Sequence, residues 1–140
     1  MRLAVLDTNV VISAGIGPVG PPARLMVDWV LPGRIKIVAS PWIRDEYCEV
    51  AARPKFRRYG FPPPWLQFLL EECLFVPDPA RWPHAIPDPR DAPFLAVAKA
   101  SGAWLVTGNM KHYPRNARSG VTVVQPSQYL KRLESEQERS

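Results

Sequence analysis

Apolar residues along this chain fall into two alternating patterns, short uninterrupted runs and repeats at helical spacing. Leu3 to Leu6 is an uninterrupted run, closed by Asp7 and followed by Thr8 and Asn9 before apolar residues resume. Such a run fits a strand buried on both faces, as in a parallel sheet covered by helices. Asn9 to Ala14 begins a helix that Gly15-Ile16-Gly17-Pro18 interrupts, and helical structure resumes near Pro22 and runs to Leu31, where Pro32-Gly33 stops it. Ile35 to Ala39, rich in β-branched residues, reads as a second strand. Ser40 is a good N-cap and Pro41 suits the first helical position, so a helix is expected from Pro41 to about Ala52.

The second half repeats the scheme. Leu66, Leu69, Leu70 and Cys73 form one helical stripe, Phe75-Val76 a short edge strand, and Pro77 to Pro89 a proline-stiffened loop. Phe94, Leu95, Ala98 and Ser101 mark the packed side of another helix, with Gly102 as its stop. Trp104 to Thr107 and Val121 to Val124 are the remaining strands, and Pro126 opens a helix through about Leu133. Strands alternating with helices predict an α/β protein with a parallel sheet. One domain is expected over residues 1–133, with residues 134–140 a frayed tail.

Ligands of such sheets bind beyond the carboxyl ends of the strands, where Asp7 would sit. Glu46 lies between Ile43, Tyr47 and Val50 on the apolar face of its helix, and a carboxylate there is costly to bury unless paired or bound to metal. The bland alternative pairs it with Arg44 or Arg53. Asp88 and Asp91 stand at a helix start, where one of them is expected simply to cap the helix. Asp91 is the better site candidate, one turn before Leu95. Asn109 ends its strand as Asp7 ends the first.

Composition narrows the partners. The 140 residues are 46% hydrophobic and 22% charged, with a net charge of +5. An anionic partner is favoured, nucleic acid first. Arg53, Lys55, Arg57 and Arg58, interleaved with Phe56 and Tyr59, form the densest basic segment and are candidate RNA contacts, as is Lys111. A solvated turn is the plain alternative for that segment. Cys48 and Cys73 lie far apart, without metal or redox spacing, and are expected to be buried free thiols. No run approaches the length of a membrane span and no signal peptide is evident, so a cytoplasmic protein without membrane association is expected. Proline is abundant, 17 residues where average usage predicts roughly seven, and it clusters at loops.

Four stretches now form a pattern. A strand ends in Asp7-Thr8-Asn9, and Glu46 follows in the helix after the second strand. DPRDAPFLAVA (Asp88 to Ala98) leads into LVTGNMKHYP (Leu105 to Pro114), and VTVVQPSQYL closes the chain. This resembles the PIN-domain family, and within it the VapC-like toxins of toxin–antitoxin modules, over Leu3 to about Leu133. The resemblance implies a three-layer α/β/α sandwich with a central parallel β-sheet and a Mg²⁺- or Mn²⁺-dependent ribonuclease site. It matches Asp7, Glu46 and Asp91 to the family's three acids, as metal ligands and catalytic residues. Asn9 and Thr107 become supporting residues. It also implies an RNA substrate, a cognate antitoxin and a homodimer.

Physics independent of the resemblance agrees in part. Converging carboxylates raise one another's pKa unless a cation neutralises them, and hard divalent cations take oxygen ligands. Water activated by a metal is then the economical nucleophile, because only His112 lies near these motifs. Many family members carry a fourth Asp where this chain has Asn109. One tightly bound ion is therefore expected, with a second arriving with substrate and Asp88 placed to compensate. Two other readings stand beside this one. An aspartyl phosphatase would need an acid where Asn9 is, and a binding module would grip RNA or protein while cleaving poorly.

Overall fold

The computed structural model describes residues 2–139, and the side chains of residues 2–138. Five parallel strands, β1 (Arg2–Leu6), β2 (Ile35–Ala39), β3 (Leu74–Phe75), β4 (Trp104–Val106) and β5 (Val123–Val124), form one sheet in the order β3-β2-β1-β4-β5. Ala4, Val5 and Leu6 of β1 are all fully buried, so both faces of the central strand are covered. That is the three-layer α/β/α sandwich expected of an apolar run with no alternation. Short β3 caps one edge with Leu74 and Phe75 exposed.

The helices are α1 (Thr8–Ile16), α2 (Pro21–Leu25), α3 (Pro41–Ala51), α4 (Trp65–Glu72), α5 (Ala92–Ser101) and α6 (Pro126–Arg139). A π-helical turn, Met26–Val30, prolongs α2 and buries Met26, Trp29 and Val30. Ser40 caps α3 by accepting from the Ile43 N–H at 3.4 Å, with Pro41 at the first position. Gly102 ends α5 at φ +73, a left-handed conformation that glycine enters without a Cβ penalty.

One local expectation holds and two give way. α1 breaks within the Gly15–Pro18 stretch as expected, ending at Ile16 with Gly17 as its C-cap, and an added Cβ at Gly15 would lie 2.4 Å from the Phe61 ring. Glycine here serves close approach of a neighbouring segment. The last helix does not fray after Leu133 but continues to Arg139. Glu134 pairs with Arg24 at 2.7 Å and Glu136 with Arg2 and Arg132, which ties this end to α2 and β1. The cysteines are free, but Cys48 is exposed and Cys73 only half-buried, since Cys48 follows Tyr47 round α3 and faces out. No single helix among the described residues is long and apolar enough to cross a membrane.

Candidate functional site

β2 and β3 lie on one side of β1, and β4 and β5 on the other, so the connections change direction between β1 and β4. In open parallel sheets that reversal opens a crevice at the carboxyl ends of the strands. Asp7 follows β1 there, 4% exposed, and its N–H donates to the Val106 carbonyl at 2.9 Å. Although it stands at the N-cap of α1, its side chain makes no capping bond. Its Oδ2 instead accepts from the Thr107 hydroxyl at 2.9 Å and the Tyr113 hydroxyl at 2.8 Å.

Thr107 joins two networks, because its Oγ1 also accepts from the Asn109 N–H at 3.0 Å. Asn9 does not reach Asp7; its Oδ1 accepts from the Gly108 N–H at 2.9 Å, so it supports the acid only through the loop after β4. A Cβ at Gly108 would come within 3.3 Å of that oxygen, which favours glycine at the turn. Tyr47, on α3, donates to the Leu6 carbonyl and braces the backbone one residue before the acid. Burial first, and Asp7's charge second, hold both tyrosine hydroxyls well above their ordinary pKa, so both remain donors.

Asp91, just before α5, lies near enough to Asp7 to feel its charge. Burial, then Asp7's charge, pushes its pKa up to about 6. His112 Nδ1 lies 2.9 Å from its Oδ2. That buried oxygen nevertheless has no hydrogen-bond partner, so the imidazole is at ion-pair distance without the alignment of a hydrogen bond. On the far side of the ring, Asn109 Nδ2 and His112 Nε2 are 2.8 Å apart. An amide nitrogen only donates, so Nε2 accepts and the ring proton sits on Nδ1, toward Asp91. Asn109 thus contributes to the site through His112.

Glu46 stands apart at the rim, half-buried, one position round α3 from Tyr47. Burial raises its pKa most, then neighbouring Glu49, while Asp7 is the smallest of the contributions. Asp88 turns away: it caps the Arg90 N–H at 3.0 Å and pairs with the Arg90 guanidinium, which holds its carboxyl below the usual range. It is the acid of the pair that serves the helix start. Arg53 pairs loosely with Glu49 at 3.8 Å and lies close enough to lower the Glu46 pKa. Arg58 stacks on Tyr59, and Lys55, Arg57 and Lys111 are exposed.

Tyr113, His112 and the bracing role of Tyr47 are the functional groups that sequence reasoning missed. Tyr113 carried one local signal, an aromatic before Pro114 in an otherwise polar turn. Tyr47 looked like ordinary core.

The donor set suits a hard divalent cation. Asp7 and Asp91 are near enough to influence each other, the buried Oδ2 of Asp91 has the His112 ring at ion-pair distance and no aligned hydrogen bond, and Glu46 adds charge at the rim. Among the described residues no group of three or more His, Cys, Asp or Glu side chains is gathered tightly enough to hold an ion by itself. An ion held by two carboxylates, completed by water and substrate phosphate, is the mode Mg²⁺ prefers.

Fold and site together define a parallel-sheet α/β protein with acids gathered at the switch point of its sheet. A family model described as a PIN domain matches residues 3–111, and the chain belongs to the PIN domain family. The fold is similar to that in a crystal structure of VapBC2 from Rickettsia felis bound to a DNA fragment from its promoter. The TM-score there is 0.61 at 17% identity, covering 89% of this chain and 98% of that one. It is also similar to the structure of PAE2754 from Pyrobaculum aerophilum, with a TM-score of 0.57 at 16% identity, covering 96% and 98%. No curated protein matches the sequence.

Proposed function

We propose that the protein is a divalent-cation-dependent endoribonuclease that cleaves RNA phosphodiester bonds in the cytoplasm. One observation carries this reading: burial and the charge of Asp7 push the Asp91 pKa up to about 6, even with the His112 ring 2.9 Å from its Oδ2. Two carboxylates kept this close without a cation repel each other, so the arrangement favours an ion between them. Such an ion, when bound, polarises a phosphodiester and activates water for in-line attack. The chain's own groups divide the remaining tasks. Thr107 and Tyr113 fix the Asp7 carboxylate, His112 stands against Asp91, Glu46 bears charge at the rim, and the basic segment from Arg53 to Arg58 offers phosphate contacts.

Membership of the PIN domain family supports a nuclease, and the likeness to a VapBC2 complex supports a toxin role with an antitoxin partner. Homodimerisation belongs to the same reading. Mg²⁺- or Mn²⁺-dependent cleavage of RNA by the purified chain, lost in Asp7→Ala and Asp91→Ala with the fold retained, tests the activity. Growth arrest on expression, relieved by the neighbouring small reading frame, tests the toxin role. A second reading, an RNA- or protein-binding module that cleaves poorly, draws on Asn109, whose amide brings no negative charge and is engaged with His112. Intact RNA after prolonged incubation with Mg²⁺, despite tight binding, would favour it. A phosphatase is disfavoured because the Asn9 amide accepts from the Gly108 backbone and is not an acid or base that could exchange a proton near neutral pH.

A further inference from the structure

The loop between β3 and α5 builds a groove of about 490 Å³ against the first turns of α3 and α5. Its size lies within the range of small-molecule sites, roughly 300–1,000 Å³. Trp42, Trp82, Ile86, Pro93 and Ala96 supply its apolar walls, and Arg81 stands at its lip. The walls are pinned. Trp82 Nε1 donates to the Ala117 carbonyl at 2.9 Å, and His84 Nε2 lies 2.7 Å from the Ser119 hydroxyl. The Trp42 N–H donates to Asp78 Oδ1 at 3.1 Å. Trp42 also packs edge-on against Phe94 with ring centroids 5.9 Å apart. Prolines at 77, 79, 83, 87 and 89 stiffen the same loop. The groove is therefore held open before anything enters it, which lowers the ordering cost of binding.

Its position connects it to the acids. Pro89 and Ala92 line the groove, and Asp91 lies between them in sequence. Trp42 is one helical turn before Glu46 on α3. We propose that this groove takes a nucleobase of single-stranded RNA next to the phosphodiester to be cut. The base would stack on an indole, and Arg81 would sit beside the strand. Flat apolar rings with a cation at the lip match the chemistry of a base joined to phosphate, since stacking tolerates every base and guanidinium binds phosphate. The chain's net charge of +5 favours the same partner. This rests on the nuclease reading and adds a subsite that sets nucleotide preference beside the cut.

The test separates the two. The whole chain in EDTA, which prevents metal-dependent cleavage, is titrated with a short random-sequence single-stranded RNA while the five indole N–H signals are followed by NMR. The signals of Trp42 and Trp82 should move, with those of Trp29, Trp65 and Trp104 largely still. Ala96→Leu, which narrows the groove, and Trp82→Ala, which removes a stacking face, should each weaken binding by roughly tenfold. Should Trp82→Ala disturb the loop through its lost bond to Ala117, Ala96→Leu decides alone. With Mg²⁺ added, Ala96→Leu should alter nucleotide preference next to the cut. Stationary Trp42 and Trp82 signals, unchanged affinity in Ala96→Leu, or shifts caused by a proline-rich peptide and not by RNA each overturn the groove assignment. Moving signals without cleavage in Mg²⁺ uphold the groove and sink the nuclease; cleavage with stationary signals does the reverse.

Discussion

The Tyr113 hydroxyl donates to the same Asp7 oxygen that accepts from Thr107, at 2.8 Å, deep enough that no solvent reaches the ring. A buried carboxylate with one donor removed retains the desolvation cost without the compensating bond. Tyr113→Phe is therefore expected to lower unfolding free energy by about 1–3 kcal/mol. Urea unfolding measures this, and a change within about 0.5 kcal/mol would mean that the hydroxyl does not hold the acid.

Asp91 makes stability depend on pH. Its folded pKa of about 6 lies above the ordinary aspartate value of 3.8. Between these values the folded chain holds a proton that the unfolded chain has released, so this contribution is full below the lower value and is lost as pH rises through the upper one. A divalent cation reverses the penalty by favouring the ionised pair. Mg²⁺ should accordingly raise the melting temperature more at pH about 7.5 than at pH about 5. Equal shifts at both pH values would show that the ion binds elsewhere.

Asn109→Asp restores a fourth carboxylate and removes the amide donor to His112. By ligand charge count, divalent-cation affinity should rise by roughly tenfold. Without metal the variant should be less stable than the parent, because a third negative charge joins Asp7 and Asp91. Calorimetric titration reads the affinity, and in the parent it should show one tight site per chain. Two equivalent tight sites in the free parent would contradict the single-ion expectation.

Gly15→Ala probes packing away from the acids. The new methyl would meet the Phe61 ring at 2.4 Å, closer than side chains tolerate. Overpacking of this kind costs about 1–3 kcal/mol. Thermal denaturation should show the loss, and adding Phe61→Leu should recover part of it. A stabilised Gly15→Ala would mean the ring has room to retreat.

Local patterns were legible where local forces decide them. β2 has the expected bounds because four β-branched or apolar positions, with Lys36 among them, sit between a glycine turn and an N-cap, and Ser40, Pro41 and Gly102 act through bonds to near neighbours. The contact of Gly15 with Phe61 could not be read because the two are distant in sequence, and the continuation of α6 depends on Arg2 and Arg24 at the other end of the chain. The site divides in the same way. Asp7 and Asp91 could be found as strand-end and helix-start acids and Thr107 as a supporting residue at its strand end, but the second donor to Asp7, Tyr113, lies in a turn with no pattern of its own. Glu46 was placed correctly on its helix, yet helical phase alone could not tell a buried face from a rim.

The distance along the chain between Asp7 and its two donors, 100 and 106 residues, has a consequence for how the protein is made. The acid leaves the ribosome with the first strand, while β4 and the tyrosine that complete its setting emerge after most of the chain. Contacts this far apart must also overcome a loop-closure cost before they contribute any stability. A growing chain therefore carries Asp7 unoriented until Thr107 and Tyr113 have emerged. Under the nuclease activity proposed above, that delay separates manufacture from activity.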